Sequence, residues 1–98
     1  MRRSGPRPLG HALDALTERL APPTLLAEVQ RAWPAAAGAL FAEGAQPMRE
    51  SEGTVTVTCR EAVLANELQL MSELVRDRLN EALGRPAVKA LRVRAGGP

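Results

Sequence analysis

The stretch GTVTVTC, residues 53–59, decides the fold class. From Thr54 to Cys59 threonine alternates strictly with Val55, Val57 and Cys59, a period of two that a half-buried β-strand requires. Gly53 ahead of it can adopt the positive φ of a tight turn. Residues 46–51 are shorter in apolar content and open on Gln46-Pro47. They read as the polar partner of a hairpin that turns at Ser51 to Gly53, with Pro47 suited to an edge strand.

Outward from this hairpin the period changes to helical on both sides. Towards the N-terminus, Leu26, Val29, Trp33, Ala37 and Leu40 recur at steps of three and four. Thr24 is placed as an N-cap, and Glu28 in the first turn complements the helix dipole. This apolar stripe runs through Pro34, whose ring removes a helical hydrogen bond and disfavours α geometry at Trp33. A kink is therefore expected at Pro34, or a second helix that starts there. Gly44 and Pro47 close the region. Further upstream, Leu9, Ala12, Leu13, Leu16 and Leu20 give one apolar face to a helix over residues 9–20, ended by Pro22 and Pro23. Residues 1–8, with Gly5, Pro6 and Pro8 among arginines, read as a flexible arm.

Towards the C-terminus, Leu64, Leu68, Met71, Val75, Leu79 and Ala82 form one stripe of a single helix over residues 61–83, closed by Gly84 and Pro86. Ala87 to Arg94 follows as a strand, with Arg92 and Arg94 on its solvent side. Residues 95–98 are a tail. The expected fold is α+β: one domain over residues 9–94, a small three-stranded sheet with helices packed on one face.

The 98 residues hold one cysteine, one histidine and two aromatic side chains, Trp33 and Phe41. A single cysteine excludes an internal disulfide and a multi-cysteine metal site. Cys59 alternates with valines and reads as a small core residue. His11, near the N-terminus, has no companions for a catalytic triad. No phosphate-cradling glycine loop is present. Neither enzymatic activity, nor a metal, cofactor or small-molecule substrate, is expected. No apolar run reaches the ~20 residues that cross a bilayer, and no apolar segment follows the basic N-terminus. A cytoplasmic protein without membrane contact is expected.

The charge of +2 conceals basic ends on an acidic middle. Arg2, Arg3 and Arg7 lie in the arm; Arg85, Lys89, Arg92 and Arg94 lie near the C-terminus. Such ends suit a partner bearing phosphates. Arg2, Arg3, Arg7, Lys89, Arg92 and Arg94 are the expected nucleic-acid-binding residues, neutralising phosphates, with the arm ordering on contact. The strands carry no Phe, Tyr or Trp on which bases could stack. Contact is therefore expected to be backbone-directed and weak in sequence preference. A protein-interaction module without nucleic-acid binding is the alternative, docking through the acidic middle and the leucines of the first helix.

The ordered succession VQRAWP (residues 29–34) with Gly38, QP (46–47), GTVTV (53–57), ANEL (65–68), RLNEALG (78–84) and LRVR (91–94) resembles the DciA family over about residues 9–94. The resemblance implies a KH-like α+β fold of the bacterial type. It also implies a role in chromosome replication, with the replicative DNA helicase as partner, assistance in its loading, and binding to single-stranded or structured DNA. The Gly-x-x-Gly loop of KH domains has no match here, so the KH grip on single strands is not implied.

Overall fold

A computed structural model describes residues 23–96 of the chain. The expected arm over 1–8, the helix over 9–20 and the last two residues of the tail lie outside them. The elements in order are α1 (Leu25–Ala37), α2 (Ala39–Gly44), β1 (Ala45–Ser51), β2 (Thr54–Cys59), α3 (Ala62–Leu70), α4 (Ser72–Leu83) and β3 (Ala90–Ala95). The three strands form one sheet in the order β1-β2-β3. The expected α+β fold, with helices over one sheet face, is what the chain adopts.

β2 is the centre of the molecule. Val55, Val57 and Cys59 are fully buried under the helices, while Thr54, Thr56 and Thr58 stay half-exposed on the opposite face. β1 pairs with it antiparallel through the expected hairpin. Glu52 and Gly53 both take positive φ, 51° and 89°. Two such residues make a turn whose twist matches the flanking strands. The Glu50 carboxylate accepts the Gly53 amide at 2.8 Å and ties the turn down.

Pairing is regular from Ala45 to Pro47, then shifts by one residue before Arg49. Met48 is the extra residue of a β-bulge, a distortion that edge strands accommodate. Pro47, which has no amide to donate, lies buried opposite Val57.

α1 starts as the sequence indicates, with Thr24 Oγ1 accepting the Ala27 amide at 3.1 Å. Its break lies elsewhere than expected. The helix continues through Pro34 and stops at Gly38, whose φ of 91° and ψ of 164° are accessible almost only to glycine. Pro34 sits on the solvent side, where water can reach a carbonyl left without its helical partner. The Gly38 break resets the helical phase. Leu40, which the uninterrupted stripe would bury, is 65% exposed, and Phe41 takes the core position at 5%. Trp33 is buried, its indole N–H donating to the Ala45 carbonyl at 3.0 Å, which ties α1 to the start of β1.

The expected helix over 61–83 is two helices, interrupted at Met71 (φ −101°, ψ 10°). No capping side chain marks the interruption, and Gln69 to Ser72 contains neither proline nor glycine. Of the expected stripe, Leu68, Val75 and Leu79 are fully buried and Leu64 is half-buried, whereas Met71, at the interruption, and Ala82 are exposed. α4 ends at Gly84 in the left-handed conformation, as expected. The chain then returns to the sheet under control of Asn80. Its side-chain amide donates to the Val88 carbonyl at 2.9 Å, and its carbonyl oxygen accepts the Val88 amide at 2.8 Å. β3 begins two residues later, at Ala90 rather than Ala87, and pairs parallel to β2.

Gly38→Ala tests the helix break. No atom of the described residues would meet the new Cβ, so the expected effect comes from backbone conformation. The expected cost is about 1–3 kcal/mol in urea unfolding; an unchanged midpoint would show that the turn tolerates a side chain.

Candidate nucleic-acid interface

Among the described residues, the helices cover one face of the sheet and leave the other open. The open face is assembled from cross-strand rows: Ser51, Thr54 and Ala90; then Arg49, Thr56 and Arg92; then Gln46, Thr58 and Arg94. Threonines form the floor, and arginines stand on both flanking strands. Arg49, Arg92 and Arg94 border an open trough of about 620 Å3, with Thr54 and Thr56 on its floor and Glu52 at its rim. Flanking strands of a three-stranded sheet lie roughly 10 Å apart, and residues two apart on one strand are separated by roughly 6–7 Å. Three guanidinium groups are thus distributed over the width of a shallow surface.

Among the described residues, the ion pairs are Arg76 with Asp77 and Arg85 with Glu28. No carboxylate of these residues lies within salt-bridge distance of Arg49, Arg92 or Arg94. Their donors are available to an external anion. The threonine hydroxyls between them add neutral donors and acceptors. The face carries no aromatic side chain, so it offers charge and hydrogen bonds without a stacking surface. Its openness suits an extended ligand better than an enclosed small molecule.

The expected binding residues divide. Arg92 and Arg94 project from the open face, as their alternation indicates. Lys89 does not join them. Its amide donates to the Gly53 carbonyl at 2.8 Å, and its stem lies against Gly53 at the hairpin end of the sheet. Arg2, Arg3 and Arg7 lie outside the described residues. Arg49 was not expected. Simple alternation from the buried Pro47 would turn it towards the core; the bulge at Met48 turns it to the open face. The signal available in the sequence was Pro47 itself, which marks an edge strand where such irregularities concentrate.

Arg85, Arg60 and Cys59 are engaged in the structure of the domain instead. Arg85, part of the basic C-terminal segment, holds Glu28 at the start of α1 through two hydrogen bonds of 3.1 and 2.8 Å. Arg60 donates to the Glu43 carbonyl near the end of α2 at 2.9 Å. Cys59 is fully buried, and burial pushes its thiol pKa up, away from the reactive thiolate. Among the described residues no group of three His, Cys, Asp or Glu side chains could hold a metal ion. Nor is any of their helices long and apolar enough to cross a membrane.

The arrangement is a small α+β domain: a mixed three-stranded sheet, helices on one face and a cationic, threonine-floored surface on the other. The family model described as Dna[CI] antecedent, DciA, matches residues 8–93, and the chain belongs to the DciA family. It is 37% identical, over 98 residues, to a UPF0232 protein of Streptomyces avermitilis, an alignment covering 95% of this chain and 54% of that protein. The chain therefore spans about half the length of this curated relative.

The Arg85–Glu28 pair gives a pH-dependent test of how α1 is held. The hydrogen bonds from Arg85, assisted by its charge and that of Arg31, lower the Glu28 carboxyl below its ordinary pKa. A lowered folded-state value means the contribution is complete above the unfolded carboxylate range and disappears as pH falls through the folded value. Wild type and Glu28→Gln are expected to differ in urea midpoint at neutral pH and to converge under acid conditions. A difference of the same size at both pH values would contradict this assignment.

Proposed function

We propose that the chain is a non-enzymatic accessory of DNA replication. It binds DNA through the phosphate backbone and contacts the replicative helicase to assist its loading. Membership of the DciA family supports the replication role. The observation that carries the DNA reading is the open sheet face, where Arg49, Arg92 and Arg94 form no salt bridge with any described residue although Glu52 stands at the rim. In this reading guanidinium groups replace counterions along a single strand, and the threonines hydrogen-bond to phosphate or sugar oxygens. The missing aromatic platform makes the contact indifferent to base identity. Lys89 and the arm residues Arg2, Arg3 and Arg7 extend the contact beyond the sheet.

Exposed leucines on the helical side favour a second reading, a protein-interaction module with no nucleic-acid contact. The two readings differ in their dependence on salt. Each phosphate contact to a single strand contributes about −0.7 to the slope of log K against log salt, so three sheet arginines contribute about −2. The triple variant Arg49→Ala, Arg92→Ala, Arg94→Ala is expected to weaken oligonucleotide binding at least tenfold at low salt and to flatten the slope by about that amount. Fluorescence anisotropy with a labelled homopolymeric strand measures both. Affinity that does not change between low and moderate salt, or with the triple variant, would leave the protein-only module.

A further inference from the structure

The side of the molecule facing away from the sheet has a different chemistry. Val63, Leu70 and Leu74 are 69%, 87% and 45% exposed, and Met71 beside them is 38% exposed. The three lie at steps of seven and four. At about 100° per residue they fall within about 40° of one another on the helix surface, and roughly 130° round from Leu68, Val75 and Leu79. Leu68 and Val75 are buried on either side of Met71, so Val63 and Leu70 of α3 and Leu74 of α4 share the outward side despite the interruption. Single exposed leucines are ordinary. Aligned apolar side chains over three turns make a ridge, and such patches mark contact surfaces.

The charges nearest the ridge are predominantly acidic, with Arg78, one turn beyond Leu74, as the basic exception. Between Arg60 and Arg76 the chain has no Lys or Arg, and it has Glu61, Glu67 and Glu73, all exposed. Glu67 lies on the ridge itself, between Val63 and Leu70. We infer that this ridge docks an amphipathic helix of a protein partner, one that presents an apolar stripe flanked by Lys or Arg. Identifying that partner as the replicative helicase rests on the proposed function above.

Charge selects this occupant over two others. A second copy, meeting the ridge through a two-fold axis, would set the same glutamates against each other. The chain's own segment 9–20 carries Asp14 and Glu18 against Arg19 between its leucines, so it lacks the basic flanks the ridge calls for. The ridge and the arginine-bearing sheet face lie on opposite sides of the molecule. One chain can therefore hold a protein helix and a nucleic-acid strand at the same time.

The test uses the full chain and the double variant Leu70→Ser, Leu74→Ser, whose side chains lie outside the core. Three probes are titrated: the purified replicative helicase, a labelled synthetic helical peptide of leucines at four-three-four spacing flanked by lysines, and a labelled single strand. The expected result is at least tenfold weaker binding of helicase and peptide, with strand binding unchanged. Glu67→Lys with Glu73→Lys should weaken the same two probes, most at low salt. Where the helicase binds, its response to the variants decides: binding at wild-type strength by the leucine variant overturns the ridge and leaves the proposed function standing. Peptide binding that the variant loses, in a chain that does not bind the helicase, keeps the ridge and removes that partner. Wild-type chain that binds neither overturns both. Two further results overturn the assignment. One is a dimer in sedimentation that the leucine variant dissociates; the other is at least tenfold stronger peptide binding after Leu13→Ser with Leu16→Ser.

Discussion

The register of β3 on β2 is the constraint on which the rest depends. Parallel pairing sets Arg92 beside Thr56 and Arg94 beside Thr58 on the open face, and Leu91 beside Val55 in the core. A slip of one residue would exchange these faces, burying guanidinium groups and exposing leucine. Asn80 guards against that slip by engaging both backbone groups of Val88 just before the strand begins. Val88 is itself buried, so the entry to the strand is held by hydrogen bonds and by packing together. A polar side chain of a helix thus controls which residues the sheet presents to solvent.

Around that strand pair the molecule separates its chemistries by layer. The middle holds aliphatic side chains and the two aromatic residues, Trp33 being the only one with a buried polar atom, and that atom is satisfied by Ala45. On one side lies a cationic face with a threonine floor. On the other lies a helical surface with leucines among glutamates. The modest net charge conceals this polarity, because it averages over surfaces that point in opposite directions. Oriented charge of this kind governs which partners approach which side more than the total does.

The strand of residues 54–59, the hairpin at Gly53, the Thr24 cap and the Gly84 stop were legible because each is decided by neighbouring residues. Alternation, turn chemistry and capping act over a few positions and need no distant partner. Arg92 and Arg94 were legible for the same reason. The helix breaks were less so. Pro34 is the stronger breaker by local propensity, yet the chain turns at Gly38, since the buried indole fixes α1 against β1 and glycine alone permits the required dihedrals. The interruption at Met71 has no local signature at all.

By itself, the order of residues determined the fold class, the central strand, the burial of Cys59 and the family, for these rest on local periodicity and on ordered motifs. Only the tertiary structure decided that Arg49 joins Arg92 and Arg94 while Lys89 stands apart, and that Arg85 is held by Glu28. A bulge, a parallel register and a contact 57 residues apart in the chain bring those groups together or separate them. Such relations exist only between segments that folding makes neighbours, so no pattern read along a single segment contains them.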